Sequence, residues 1–199
     1  MFWDRAAWVY DIFADIINRK ANKEMCAAVV RELSSSDTVF ECACGTGLLS
    51  GVIAKKCRSL VATDFSVGML KRAEKKYKNC GIRFERADIL HLDFPDESFD
   101  AVVAANVIHL LDEPYRALRE LDRVCRRGGK IVVPTYMNRT KKGKTNGITA
   151  VIGKAGADFK REFTPQTYEM FFADAGYTNV HFTFCEGKIP CSVAVAEKK

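Results

Sequence analysis

Short apolar runs and longer stretches with helical spacing alternate along most of the chain. Five runs have the length and apolar character of buried strands, and they cover residues 38–42, 60–63, 82–87, 99–104 and 130–135. Helices are predicted between them, from about residue 48 to 56, from Ser66 to about Tyr77, and from Asp112, Glu113 and Pro114 to a stop at Gly128 and Gly129. Strands that alternate with helices in this way predict a parallel sheet.

The two ends of the chain depart from this alternation. Helices are predicted over residues 1–33, and a last helix runs from Thr164 to Ala175. Two strands follow, at 179–185 and 192–196, and the turn between them is too short for a parallel crossover, so they form an antiparallel pair. The sequence therefore predicts one α/β domain over 1–199, with a doubly wound, seven-stranded, mostly parallel sheet, a C-terminal antiparallel hairpin and a short insertion at 138–163.

The composition is that of an ordinary globular protein. Hydrophobic residues make up 48% of the chain and charged residues 28%. No stretch approaches the roughly 18 uncharged apolar residues of a membrane span. The first ten residues carry Asp4 and Arg5 among aromatic residues and do not resemble a targeting segment. We expect a cytoplasmic protein with no membrane span.

The eight cysteines are predicted to be reduced and mostly buried. Most lie inside apolar runs, and a chain of 199 residues needs no covalent staples. Cys42 and Cys44 have the wrong spacing for a zinc ribbon, and no second pair of cysteines or histidines completes four ligands. No metal site is expected.

The net charge of +6 raises the question of a nucleic-acid partner. Most basic residues are spread over helix faces, and the one cluster comprises Arg139, Lys141, Lys142 and Lys144. We interpret this cluster as a solvated loop, with attraction of an anionic substrate as the alternative. Without a basic extension or an RNA-binding module, no nucleic-acid partner is expected.

The segment from Val39 to Leu48, VFECACGTGL, takes a predicted strand through a glycine turn directly into a helix. In parallel sheets, ligands bind beyond the carboxyl ends of the strands. Gly45 and Gly47 have no Cβ atom to hold a ligand away from the backbone. The turn from Cys44 to Gly47 therefore predicts a site for an adenosine-bearing cofactor, although a plain strand–helix turn can also contain such glycines.

Acidic residues follow the next two strands. Asp64 stands where a carboxylate accepts hydrogen bonds from both hydroxyls of a ribose, and capping of the following helix is its alternative role. Asp88 is placed to accept the amino group of an adenine that packs on Ile89, with Phe65 and Met69 covering the other side. Alternatively, Asp88 is only a polar residue at a strand end, and Phe65 and Met69 are ordinary core side chains.

In this order the motifs resemble those of the class I S-adenosylmethionine-dependent methyltransferases. The chain looks most similar to the small-molecule group (methyltransferase type 11-like) that includes the ubiquinone and menaquinone biosynthesis C-methyltransferases. The resemblance runs from about Tyr10 to the end of the chain. It rests on residues 41–47, on Asp88-Ile89 with 92–95 and 98–100, on 126–130 and on the antiparallel terminal pair.

The resemblance implies S-adenosyl-L-methionine as the cofactor and assigns roles by position. Asn106 and Val107 would lie near the sulfonium, and Tyr10 would close over the methionine carboxylate. Ala43 replaces the family's usual first glycine, so the backbone would approach the cofactor slightly less closely without loss of binding. The remaining contacts implied are Glu41, Ala43, Cys44, Gly45 and Gly47 to the methionine portion, Asp64 to the ribose, and Asp88, Ile89, Phe65 and Met69 to the adenine.

The implied reaction is transfer of the methyl group to a small-molecule acceptor by in-line displacement, in which the protein chiefly aligns the nucleophile. A base is required only if the nucleophile carries a proton. His109 is the candidate, with packing at a helix start as its alternative, and Tyr136 is a second residue placed to face the acceptor. The short, polar insertion predicts a small or partly exposed acceptor. The chain is expected to be a monomer or homodimer.

Three other functions stay open. An NAD(P)-dependent oxidoreductase would use the same glycine turn and Asp64, but the terminal hairpin, Asp88 and the lack of a Tyr-x-x-x-Lys motif argue against it. An RNA methyltransferase would need a different motif from the Ala105–His109 segment after the fourth strand. The third alternative is a binding protein that has the methyltransferase fold but catalyses no reaction.

Overall fold

A seven-stranded sheet forms the centre of the computed structural model, which describes residues 18–138 and 160–199. The strand order is β3-β2-β1-β4-β5-β7-β6; β1 to β5 pair in parallel, and β7 runs antiparallel to both of its neighbours. This confirms the predicted fold class. The strands are β1 (Thr38–Cys42), β2 (Ser59–Asp64), β3 (Ile82–Arg86), β4 (Phe99–Ala104), β5 (Cys125–Tyr136), β6 (Val180–Cys185) and β7 (Cys191–Glu197).

Helices cover both faces of this sheet. They are α1 (Arg19–Arg31), α2 (Ser50–Ile53), α3 (Val67–Lys76), α4 (Pro114–Val124) and α5 (Pro165–Asp174), with a 3₁₀ helix at Ile108–Leu110. Within the described residues, no helix combines the length and apolar character needed to cross a membrane.

Successive residues of the central strands belong to two separate cores. Phe40 and Val102 pack on the face covered by α4 and α5, whereas their neighbours Val39 and Val103 pack on the face covered by α1 and α2. Side chains alternate across a strand, so a strand buried on both faces is apolar at most positions. This explains the unbroken apolar runs from which the strands were predicted.

The helix predicted over 48–56 is wrong in its extent. Regular helix is confined to Ser50–Ile53, and turns lie on either side of it. Gly47 and Gly51 stand at the start and inside the segment, and glycine has low helix propensity.

The predicted helix stop at Gly128 and Gly129 is also wrong. Helix α4 ends at Val124, and β5 begins with Cys125. The glycines lie in the irregular start of β5, where the pairing with β4 shifts between Phe99 and Ala101. At Gly129 a Cβ atom would lie 2.7 Å from the Asp100 carbonyl oxygen, so close packing of two strands requires this glycine.

Lys198 closes the C-terminal end of α4. Its Nζ donates to the carbonyl oxygens of Asp122 at 2.8 Å and Cys125 at 2.9 Å, and its side chain is only 14% exposed. We expect Lys198→Met to lower the free energy of unfolding by about 1–3 kcal/mol, because these carbonyls lose a cationic donor. Urea denaturation measures the change. Lys199→Met is the matched control, since Lys199 makes an exposed contact with Thr178, and equal effects of the two substitutions would contradict the assignment.

The cysteine thiols are free, and all eight lie in the described residues. Burial raises the pKa of Cys42 and of Cys125 to about 12. Both therefore stay protonated at neutral pH, which disfavours the thiolate that oxidation and metal binding require.

Candidate functional site

A cavity of about 290 Å³ opens at the carboxyl ends of β1 to β4. These ends meet at one edge because the four strands are parallel. The cavity gathers most of the residues that the sequence predicts for ribose, adenine and sulfonium. Its lining consists of Cys42, Ala43, Gly45, Asp64, Phe65, Met69, Ala87, Asp88, Ile89, Ala105, Asn106, Val107, Leu110 and Leu111.

A larger groove, of about 1060 Å³, lies between α4 and the C-terminal residues. Its described lining residues run from Tyr115 to Lys199 and include none of the predicted site residues. We therefore place the candidate site in the smaller cavity, which the predicted residues line.

The glycine turn has an unusual backbone. Ala43, Gly45 and Gly47 all have positive φ, at 57°, 58° and 85°. The N–H of Cys44 donates to the Thr63 carbonyl at 2.8 Å, and the N–H of Gly47 donates to the Cys44 carbonyl at 3.0 Å. Alternate left-handed residues thus fold the chain tightly between β1 and α2, and two of the three are glycines, which adopt this conformation at little cost.

Ala43 adopts the same left-handed conformation with a Cβ atom, and this carries a cost of about 1–2 kcal/mol. We expect Ala43→Gly to stabilise the chain by about 0.5–1 kcal/mol, because the relief of strain exceeds the added entropy of the unfolded chain. Urea denaturation measures the change. Ala62→Gly, at a buried β2 position outside the left-handed region, is the control and should destabilise. A loss of stability in both variants would show that Ala43 is unstrained.

The carboxylate of Asp64 lies between the glycine turn and the start of α3. Its Oδ2 accepts from the Gly45 N–H at 2.8 Å, and its Oδ1 accepts from the Ser66 N–H at 2.8 Å. The cap of α3 is supplied by Ser66, whose Oγ accepts from the Met69 N–H at 3.2 Å. Because an ionised carboxylate has about four lone-pair sites, these two bonds do not exhaust the capacity of Asp64 to accept hydrogen bonds.

The predicted adenine contacts surround the outer part of the cavity. Met69 and Ile89 are buried, whereas Phe65 is 42% exposed. The Arg86 guanidinium lies 4.9 Å from the centroid of the Phe65 ring, and its Nε donates to the Phe65 carbonyl at 3.1 Å. Asp88 accepts from the Leu90 N–H at 2.9 Å through one of its two carboxylate oxygens. The walls are thus apolar, with one carboxylate at the rim.

Asn106 takes the chain sharply away from the tip of β4. Its φ is 53°, and its N–H donates to the Pro134 carbonyl of β5 at 2.8 Å. Asn106 and Val107, the two residues predicted to lie near the sulfonium, both line the cavity.

Glu41 is a buried acid on β1, just before the turn. It is 2% exposed, and it is not among the described residues that line the cavity. Its Oε2 accepts from the Ser50 Oγ at 2.6 Å. Burial is the main cause that raises the pKa of Glu41 to about 8; the hydrogen bond from Ser50 opposes this rise and the neighbouring Asp64 adds to it.

His109 and Tyr136, the two residues predicted to face the acceptor, lie side by side. Their ring centroids are 6.3 Å apart, and the Tyr136 hydroxyl donates to the Asn22 Oδ1 at 3.3 Å. His109 is 4% exposed, and burial lowers its pKa to about 4. Its ring is therefore neutral at pH 7.

His109 and Tyr136 are not among the described residues that line the cavity, and further predicted contacts do not reach it either. Cys44 is buried in the core on the α1 side, and the Cβ direction of Gly47 points at the ring of Tyr77. Tyr10, the basic cluster at 139–144 and the greater part of the 138–163 insertion lie outside the described residues.

Sequence reasoning missed Leu110, Leu111 and Arg86. The two leucines line the cavity from the 3₁₀ helix and the residue after it, and Arg86 holds Phe65 at the rim. The sequence offered one signal for them: the two leucines follow β4, and Arg86 is the last residue of β3. An apolar pair or a single arginine does not differ in sequence from core or surface residues.

The sheet order with an antiparallel seventh strand is that of the Rossmann-like methyltransferase fold. A family described as a methyltransferase domain matches residues 40–133. Over this segment the chain is similar to the S-adenosylmethionine-dependent methyltransferases, whose methyl donor is S-adenosylmethionine.

Two curated relatives and one solved structure illustrate the range of similar proteins. The phosphatidylethanolamine N-methyltransferase of Cereibacter sphaeroides is 36% identical over 61% of the chain and 59% of its own length. The demethylmenaquinone methyltransferase of Renibacterium salmoninarum is 34% identical over 69% of the chain and 58% of its own length. The chain thus spans less than two thirds of either relative. A Thermotoga maritima structure described as a possible histamine N-methyltransferase has a TM-score of 0.78, with 100% of this chain and 99% of that chain covered, and at 21% identity it supports the fold alone.

Proposed function

We propose that the chain transfers the methyl group of S-adenosylmethionine to a small-molecule acceptor by in-line displacement. The observation that carries the proposal is the cavity at the carboxyl ends of β1 to β4, with Asp64 and Asp88 at neighbouring strand tips and the glycine turn between them and Asn106. A carboxylate at each of two strand tips suits a ligand with hydroxyl and amino donors at two separate points.

The residues present fit the cofactor. The carboxylate of Asp64 would hold the ribose hydroxyls, and Asp88 would accept the adenine amino group. Ile89 and Met69 offer buried apolar walls for the base, and Phe65 is exposed enough to bury more of its ring against it. When bound, S-adenosylmethionine supplies a methyl group already activated by a positive sulfonium.

The main task of the chain's own residues is therefore to align the acceptor. Such alignment lowers the activation barrier by roughly 7–11 kcal/mol in favourable cases. Neutral His109 is able to accept a proton, but its burial disfavours the imidazolium that would result. Contact of His109 and Tyr136 with the acceptor stays a prediction, since neither is among the described residues that line the cavity, and the base is unassigned. The names of the two relatives refer to an amine-bearing lipid and a quinone precursor, so both kinds of acceptor belong in a screen.

Thermal stabilisation by S-adenosylhomocysteine and by NADPH, measured in parallel, tests the cofactor. We expect S-adenosylhomocysteine to raise the melting temperature and NADPH to leave it unchanged. Stabilisation by NADPH alone would replace the proposal with the oxidoreductase alternative.

Release of S-adenosylhomocysteine in the presence of quinols, phenols, amines or thiols tests the reaction. Turnover with one of these classes identifies the acceptor chemistry. Turnover only with RNA would favour the RNA methyltransferase, and binding without turnover on any acceptor would favour a protein that keeps the fold without catalysis.

A further inference from the structure

Tyr77 lies directly on the glycine turn, although it comes 30 residues after Gly47 in the sequence. A Cβ atom built on Gly47 would lie 2.7 Å from the Tyr77 Cε2 atom, and one built on Gly51 would lie 2.7 Å from its Cζ atom. Real Cβ contacts are almost never shorter than 3.0 Å. The ring therefore fills the space in which both glycines lack a side chain.

The backbone of Tyr77 is fixed at the end of α3. Its N–H donates to the Ala73 carbonyl at 2.9 Å, and its carbonyl accepts from the Cys80 N–H at 3.0 Å. The same helix begins at Ser66, whose N–H is bound to Asp64. One rigid element thus connects the predicted ribose ligand at its start with the glycine turn at its end.

We infer that Tyr77 is a positioning residue, which holds the glycine turn in its cofactor-binding conformation by packing on Gly47 and Gly51. The inference rests on the proposed function, and it assigns a role to Gly51, which lies inside α2. The turn needs such support because it combines three left-handed residues with only a short helix behind it. Without the ring, the distances and orientation between the N–H groups of the turn and the Asp64 carboxylate would no longer be fixed.

The contact can be tested by size complementation. We expect Gly51→Ala to weaken S-adenosylhomocysteine binding by about tenfold or more, because the new Cβ atom displaces the ring or the turn. Tyr77→Ala should weaken it comparably by leaving the turn unsupported. In the double variant the methyl group introduced by Gly51→Ala enters the vacated space, so the Kd should be tighter than for either single variant. Tyr77→Phe should bind nearly as the native chain does, since it keeps the ring atoms that contact both glycines and removes only the hydroxyl oxygen, which lies 2.7 Å from a Cβ atom built on Gly51.

Two controls separate positioning from stability. Gly129→Ala also places a Cβ atom against backbone, and Tyr177→Ala also removes a packed tyrosine, but both lie at the opposite end of the sheet. Calorimetric Kd values, corrected for the folded fraction from urea denaturation, should change little in these controls even where stability falls.

The possible outcomes are distinguishable. If the native chain binds S-adenosylhomocysteine and the Gly51 and Tyr77 variants bind it equally well, the contact is plain packing and the inference is wrong. Additive losses in the double variant would overturn it too. If the native chain does not bind S-adenosylhomocysteine at all, the proposed function fails first and the inference fails with it.

Discussion

Asp64→Ala is expected to weaken binding of S-adenosylhomocysteine by about a hundredfold to ten-thousandfold. Two hydrogen bonds from ribose hydroxyls to an ionised carboxylate contribute about 1.5–3 kcal/mol each, and each 1.4 kcal/mol corresponds to a factor of about ten. The same carboxylate accepts from Gly45 and Ser66 in the free chain. Its removal should therefore also loosen the turn and lower the free energy of unfolding by about 1–2 kcal/mol.

Isothermal titration calorimetry well below the melting temperature measures the binding loss apart from the stability loss. Asp64→Asn should have a smaller effect, because an amide keeps one acceptor oxygen in place. Asp93→Ala is the control, since Asp93 is exposed and is not among the described residues of the cavity. If the Kd of Asp64→Ala for S-adenosylhomocysteine lies within about threefold of the Kd of this control, the carboxylate only stabilises the turn.

The sheet could be predicted from the sequence because the physical signal is local. Val39 and Phe40 must both be apolar when each face of β1 is covered, and the turn between β6 and β7 is too short for any pairing but an antiparallel one. The pair Gly128-Gly129 gave the wrong prediction because its role depends on distant residues. Gly128 donates to the Lys198 carbonyl at 2.8 Å, and Gly129 packs on Asp100. A glycine pair after a helix has the same local signal whether it ends the helix or lets two strands approach.

In the candidate site, too, some features follow from local sequence and others depend on packing between distant residues. Asp64, Asp88 and Asn106 could be predicted because parallel strands bring their carboxyl ends to one edge, so position in sequence determines position in space. The packing of Tyr77 on Gly51 depends on how α3 lies across the turn, which no spacing along the chain reveals. The burial of Glu41 likewise depends on α1 and α2 closing over the sheet.

Glu41→Gln is expected to remove a large pH dependence of stability. The pKa of Glu41 is about 8 in the folded chain, whereas an ordinary glutamate has a value of 4.5. Between these values the unfolded chain releases the proton and the folded chain keeps it. The free energy of unfolding therefore falls as pH rises from about 4.5 to 8, by up to about 1.4 kcal/mol per pH unit from this group alone. The contribution of Glu41 to the free energy of unfolding is fully present below the pKa that this group has in the unfolded chain. It is lost once the pH has risen past the pKa that the group has in the folded chain.

Urea denaturation at half-unit steps from about pH 4.5 to 8.5 tests this expectation, with the native chain and Glu41→Gln compared at each step. Glutamine keeps an oxygen that accepts from Ser50 but does not titrate, so the variant should become progressively more stable than the native chain as pH rises. Other titrating groups cancel in the difference between the two chains. Glu32→Gln, which alters an acid paired with Lys130 at the surface, serves as the control and should run parallel to the native profile. Parallel profiles for Glu41→Gln as well would mean that Glu41 is ionised in the folded chain, and its burial would then require a cationic partner.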